Sequence, residues 1–209
     1  IIGYEVQKVQ AAVDWLEATA PEGAPIGVAG YGEGGLIALY TSAIDTRIDA
    51  TLVSGYFGPR EAVCSEPIYR NVWGLLREFG DAEIASLIAP RALVVEYSPV
   101  PEVKDQKGEL ATPSFAEVRR EVERISKLTP ESFVPPTLLS GTDGSTTGAW
   151  SSESLKAFDA ALGVAPDIVY FGTAPVASGE PYDYAARQLR QLWELDDYTQ
   201  WLVRDSDHL

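Results

Sequence analysis

Residues 26–36 read IGVAGYGEGGL, a stretch in which Gly27, Gly30, Gly32, Gly34 and Gly35 leave few side chains. Glycine loses more backbone entropy on folding than any other residue, so such density is sustained only where the chain turns sharply or two backbones touch. The flanks decide which. The apolar run 26–29 has the length of a buried strand, and Leu36 opens an apolar helix pattern that continues to Ile44. The stretch therefore reads as strand, tight turn and helix, and a chain built around it has to stack helices against a sheet.

The same alternation runs through most of the chain. Ahead of the turn, Val6, Val9, Val13 and Leu16 recur at helical spacing, and Pro21, Gly23 and Pro25 close that helix. After it come a strand at 50–57 (ATLVSGYF) and a helix whose face is Ile68, Val72, Leu75, Leu76 and Phe79. A strand at 92–97 (ALVVEY) precedes a helix at 114–126 with Phe115, Val118, Val122 and Ile125 inward. A weaker strand at 134–140, around Pro135 and Pro136, leads to a helix carrying Leu155, Phe158 and Leu162. Apolar strands alternating with helices predict a three-layer α/β/α domain with a mostly parallel sheet over residues 1–163. Residues 164–209 read as a C-terminal extension with one more strand at 167–171 (DIVYF) and a long amphipathic helix at 182–204, where Leu189, Leu192, Leu195 and Leu202 lie amid charges. The loop 98–113, rich in proline, glycine and charge, is expected to be the most mobile stretch.

Charge narrows the partners. Sixteen basic against 31 acidic residues give a net charge of −15, which repels phosphate backbones and anionic headgroups, so neither nucleic acid nor a membrane is expected. No apolar run is long enough to span a bilayer, and no leader is evident. The single cysteine, Cys64, excludes an internal disulfide framework and a multi-cysteine zinc site, and suits a reducing compartment such as the cytoplasm. No cofactor or metal is expected. The chain begins at Ile1 and contains no Met, which reads as a piece of a longer protein or as a chain trimmed of its ends.

Two catalytic templates overlie the turn. Gly30, Gly32 and Gly35 satisfy the dinucleotide fingerprint G-x-G-x-x-G in its strand-to-helix setting. That mechanism also needs a carboxylate at the end of the next strand to hold the ribose, and this strand ends Gly55-Tyr56-Phe57. The second template is the nucleophile elbow G-x-S-x-G, in which a sharp turn lifts a nucleophile above the sheet and the next N–H serves as an oxyanion donor. Gly30 and Gly34 stand where small flanking residues are required, but the apex is Gly32, which has no side chain.

The segment GYGEGG resembles the G-x-S-E-G-G elbow of the α/β-hydrolase superfamily, in particular its dienelactone hydrolase and acetyl xylan esterase branch. Residues 87–95 (LIAPRALVV) are similar to the segment leading into a late strand of those enzymes, and the element order from about residue 5 to 162 matches the second half of their fold. The resemblance implies a partial α/β-hydrolase fold without its first strands, an ester or acyl hydrolase lineage, and a triad in the order nucleophile, acid, histidine. This chain departs at each position. Gly32 replaces the serine; Ser98, Pro99 and Val100 stand where the acid would be, with only Glu96 and Glu102 nearby; and residues 140–144 (SGTDG) stand where the histidine would be. An elbow nucleophile sits in a strained backbone conformation, and once no nucleophile is needed glycine relaxes it.

The remaining candidates lie in loops after strands, which in such a sheet face one crevice. They hold Glu33, Glu61, Cys64, Glu66, Glu96, Glu102 and Asp143, and crowded carboxylates disfavour one another's ionisation, which would fit one of them as a general base. Glu33 follows the apex at a helix N-terminus, where the dipole suits a capping carboxylate. Gly32, Glu33 and Gly34 would supply oxyanion N–H groups. Cys64 is the only thiol, with Glu61 and Glu66 blunting it and Arg60 activating it, and a lone cysteine is ordinarily a small buried apolar residue. His208, the only histidine, is penultimate in the chain, where ends fray. Trp73 and Trp150 read as core or cover residues. The expected function is a vestigial hydrolase-type domain with a binding or structural role. The alternatives are an atypical carboxylester or phosphoester hydrolase taking a small-molecule ester through the carboxylate-lined crevice or Cys64, and a dinucleotide-binding oxidoreductase. With the first strands of such a fold missing, strand 26–29 would lie at a sheet edge, so a homodimer, or pairing with a missing segment of the parent protein, is expected.

Overall fold

The structure is a computed structural model that describes residues 2–102, 107–164 and 183–206. The chain divides into two compact units, Ile1–Asp167 and Ile168–Leu209. In the first, α1 (Ile2–Thr19) leads to β1 (Gly27–Tyr31), α2 (Glu33–Ile44), β2 (Ala50–Ser54), α3 (Asp81–Ser86), β3 (Ala92–Glu96), α4 (Phe115–Leu128), β4 (Thr137–Leu139) and α5 (Ser152–Ala161). The four strands form a parallel sheet in the order β1-β2-β3-β4. Sequential strands pair because each returns through a helix, as parallel neighbours must. Every residue of β2 is buried, which is why ATLVS carries no charge and shows no apolar–polar alternation.

The pleat sends alternate residues to opposite faces. Val53, Leu93 and Val95 join Leu36 and Leu39 of α2, Ala82, Ile84 and Ala85 of α3, and Val118, Val122 and Ile125 of α4 in one core. On the other face α5 packs against β2, β3 and β4, and Phe158 and Leu162 lie so close to Gly27 that a side chain there would collide with them. This is the three-layer α/β/α arrangement, with a parallel sheet between the helices. Arg91, of the proline–arginine stretch, stitches its layers: its guanidinium donates to the carbonyls of Ser42, Asp45, Ile48 and Leu87, closing the end of α2. α4 starts at a capping box, Ser114 with Glu117.

One expected helix is absent. Ile68, Val72, Leu75, Leu76 and Phe79 fit a helical period, yet 63–77 forms three short 3-10 turns, Val63–Ser65, Ile68–Arg70 and Leu75–Arg77, and helix resumes only at α3. Pro67 and Gly74, the latter at φ 78°, break the run, and Ile68 and Trp73 are 76% and 87% exposed. Trp73 is therefore not a core residue. The expected strand 134–140 shortens to the three residues of β4 because Pro135 and Pro136 cannot donate to a ladder.

In the second unit α6 (Tyr184–Arg204) is capped by the Asp183 carboxylate, which accepts from the Ala186 N–H. The expected strand 167–171 lies outside the described residues. No helix of the described residues is long and apolar enough to cross a membrane.

Candidate functional site

The glycine-rich turn joins β1 to α2 through a single residue. The N–H of Gly32 donates to the Ser54 carbonyl of β2 at 2.9 Å, and the Gly32 carbonyl accepts from Leu36 N–H at 3.1 Å, so one residue ends the sheet and starts the helix. That demands φ 57° and ψ −117°, a conformation that L side chains rarely adopt. Gly30 is fixed by close approach, since a Cβ there would fall inside the Gly34 carbonyl and 2.6 Å from the Gly35 nitrogen. A Cβ on Gly35 would meet Ser54, Tyr56 and Gly30 at 3.1–3.2 Å. The tight pair is thus Gly30 and Gly35. A Cβ on Gly34, expected to share that duty, would meet nothing within 4 Å.

Above the apex lies the loop after β3. A Cβ on Gly32 would run into the Pro101 ring, with Pro101 Cδ at 2.8 Å. The loop is pinned there. Tyr31 Oη donates to the Pro99 carbonyl at 2.9 Å, the Val100 N–H donates to Thr112 Oγ1 at 2.9 Å, and Tyr97 Oη donates to the Pro113 carbonyl at 2.9 Å. Gly55, at φ 58°, lets the Tyr31 ring and the Pro99 carbonyl approach to 2.6 and 2.8 Å of where its Cβ would be. The described ends of 98–113, expected to be mobile, are held by specific hydrogen bonds.

Glu96 ends β3 as a buried carboxylate. Its Oε2 accepts from Ser54 Oγ at 2.6 Å and Trp150 N–H at 3.0 Å, its Oε1 accepts from Ser151 N–H at 2.9 Å, and Ser98 Oγ lies 3.0 Å from Ser54 Oγ. Burial pushes its pKa up, but the hydrogen bonds from Ser151 and Ser54 outweigh it and hold the carboxyl below the usual range. The anchor tolerates Trp150 at φ 63° and launches α5 from Ser151.

A second charged group lies on the other side of the turn. Arg70, whose side chain is 3% exposed, donates from Nε to Glu33 at 2.8 Å and from Nη1 to Glu66 at 3.3 Å. Glu33 also accepts from Tyr69 Oη at 3.2 Å, and Glu66 takes Arg60 Nη2 at 2.6 Å. Arg60 Nε reaches 3.9 Å from Asp81, whose carboxylate accepts from Tyr56 Oη and Gly58 N–H. Both guanidinium groups lie over the Tyr56 ring, at 5.2 and 5.6 Å. Burial lifts Asp81 to a pKa of about 7, although Arg60 and the Gly58 N–H draw it down.

The loop carboxylates do not converge on one crevice. Glu33 and Glu66 are neutralised by arginines and Glu96 is enclosed, while Glu61, Glu102 and Asp143 are exposed, Asp143 at φ 56° in the turn Thr142–Gly144. Cys64 is exposed, not a buried apolar residue, and His208 lies outside the described residues. Among the described residues no three metal-ligating side chains gather. Sequence reasoning missed Pro101, Arg70, Asp81, the ion pairs of Arg60 and the anchoring role of Glu96. Of these only Arg70 left a local signal, four residues after Glu66.

Fold and turn together define the class: a three-layer α/β/α protein with a parallel sheet and a one-residue strand-to-helix elbow at Gly32. No family model matches the chain, and no curated protein matches it. Among solved structures it is similar to a promiscuous CE15 esterase from the marine bacterial metagenome, at 17% identity and a TM-score of 0.47 over 75% of this chain and 47% of that one. It is also similar to a carbohydrate esterase family 15 (CE15) glucuronoyl esterase from Caldicellulosiruptor kristjansonii, at 19% identity and a TM-score of 0.43 over 83% of this chain and 53% of the other. The chain spans about half the length of these structures.

Proposed function

We propose that this chain is a hydrolase-type domain of esterase lineage whose elbow has lost its nucleophile, and that its role is binding or structural. The observation that carries this reading is the apex itself. Gly32 holds the strained φ/ψ of a residue that presents a side chain above a sheet, and the space for that side chain is filled by Pro101. With no side chain at Gly32 the usual covalent route is gone, and what remains at the elbow are oxyanion-type N–H groups at the start of α2. The candidate carboxylates support the same reading, since Glu33 and Glu66 are held by arginines. We further propose that the domain self-associates along β1, or pairs there with another segment of its parent chain.

The test is turnover of 4-nitrophenyl acetate by the purified chain beside its Cys64→Ala and Glu33→Gln variants. The expected rate matches buffer in all three. A rate above buffer that either substitution abolishes would establish an atypical ester hydrolase instead, and saturable NAD binding would support the dinucleotide template.

A further inference from the structure

A groove of about 320 Å³ opens beside the C-terminal half of α2, walled by apolar residues that include Val6, Ile44, Val72, Phe79 and Leu87. Its size falls in the range of small-molecule pockets, and Ile44 and Leu87 are 61% and 53% exposed at its rim. Next to it is a hollow of about 20 Å³, room for one water-sized group, which shares the walls Tyr40, Val72, Leu75 and Phe79 and adds Arg60, Arg70 and Asp81. Arg70, a wall of the hollow and not of the groove, has a donor to spare. Arg70 Nη2 is buried and has no hydrogen-bond partner among the described residues, while Nε and Nη1 are engaged by Glu33 and Glu66. A buried donor left unmade is costly, and a ligand acceptor would remove that cost.

Charge selects the acceptor. The two guanidinium groups of Arg60 and Arg70 already face three carboxylates, those of Glu33, Glu66 and Asp81. A carboxylate head would bring a further anion into a buried site whose two cations are already matched by Glu33 and Glu66, whereas a neutral carbonyl oxygen satisfies Nη2 without that penalty. We infer that the groove binds a small aliphatic molecule ending in one neutral hydrogen-bond acceptor, a ketone or ester carbonyl, with its chain along the apolar walls and its oxygen on Arg70 Nη2. This site is independent of the elbow reading, and ester turnover does not bear on it.

The probes are 2-octanone and octanoate, titrated into the whole chain by calorimetry and by the guanidinium ¹⁵N resonances of Arg70. Saturable binding of 2-octanone is expected, with the Arg70 signals shifting and octanoate binding at least about tenfold more weakly. Arg70→Lys should weaken the ketone about tenfold, the factor that corresponds to about 1.4 kcal/mol for a hydrogen bond to a charged donor. Leu87→Glu, at an exposed position that does not threaten folding, should abolish ketone binding and carries the test if Arg70→Lys fails to fold. No saturable binding of 2-octanone, binding of octanoate as tight as that of the ketone, or indifference to Leu87→Glu would each overturn the assignment.

Discussion

At the scale of single residues the turn is over-determined. The backbone at Gly32 and the ring of Pro101 act together, so Gly32→Ser should lose about 1–3 kcal/mol from the positive φ alone and more from the collision. Pro101→Gly in the same chain should return part of that loss. A coupling of at least about 0.5 kcal/mol in urea unfolding of the two single variants and the double would show that the loop occupies the apex, and additivity would show that it does not. The neighbouring glycines separate in the same way. Gly30→Ala has to push the start of α2 off the strand, whereas Gly34→Ala meets open space in a helix, where alanine is favoured by up to about 1 kcal/mol. Gly30→Ala is expected to be strongly destabilised and Gly34→Ala at least as stable as the parent, as read by unfolding midpoints.

At the scale of elements, two buried carboxylates join helices to strands and answer to pH with opposite signs. Folded Asp81, at the start of α3, binds its proton more tightly than the unfolded chain, with a pKa near 7 against an ordinary 3.8. Its contribution is therefore fully present below about pH 4 and is lost as pH rises through about 7. Asp81→Asn should flatten the fall in the urea midpoint between pH 5 and pH 8; an unchanged slope would remove Asp81 as its cause. Glu96, which ties β2, β3 and the start of α5, is shifted downward, so its contribution is present above the ordinary glutamate pKa and lost as pH falls through the lower folded value. Glu96→Gln should cost about 1–3 kcal/mol at neutral pH and progressively less in acid. How much of this was legible in the sequence follows from range. The strands, α2, α4, α5 and the Gly32 apex were legible because apolar period and glycine placement are local signals. Residues 68–79 carry a helical spacing that competes with Pro67 and Gly74, and the punctuation wins. Pro101 over Gly32 and Arg70 on Glu33 were invisible, since each joins positions far apart in the chain with no pattern linking them.

At the scale of the whole molecule, edges and charge set the terms of association. Of the two edge strands among the described residues, β4 is protected: it is three residues long and follows Pro135 and Pro136. β1 has no such guard. Its sequence GVAGY carries neither proline nor charge, and Gly27 and Ala29 are exposed. The proposed pairing through β1 brings together two chains that each carry −15, so it should be weak at low salt and strengthen as counterions screen the repulsion over a shorter Debye length. Light scattering across a concentration series should show a monomer at about 10 mM salt and a growing dimer fraction at about 0.5 M. Ala29→Lys, a charge of the kind that natural edge strands use against pairing, should hold the chain monomeric at both salt concentrations without lowering its unfolding free energy by more than about 0.5 kcal/mol. A chain that stays monomeric at high salt, or a dimer indifferent to Ala29→Lys, would move the contact away from β1 and leave that edge to a segment of the parent protein.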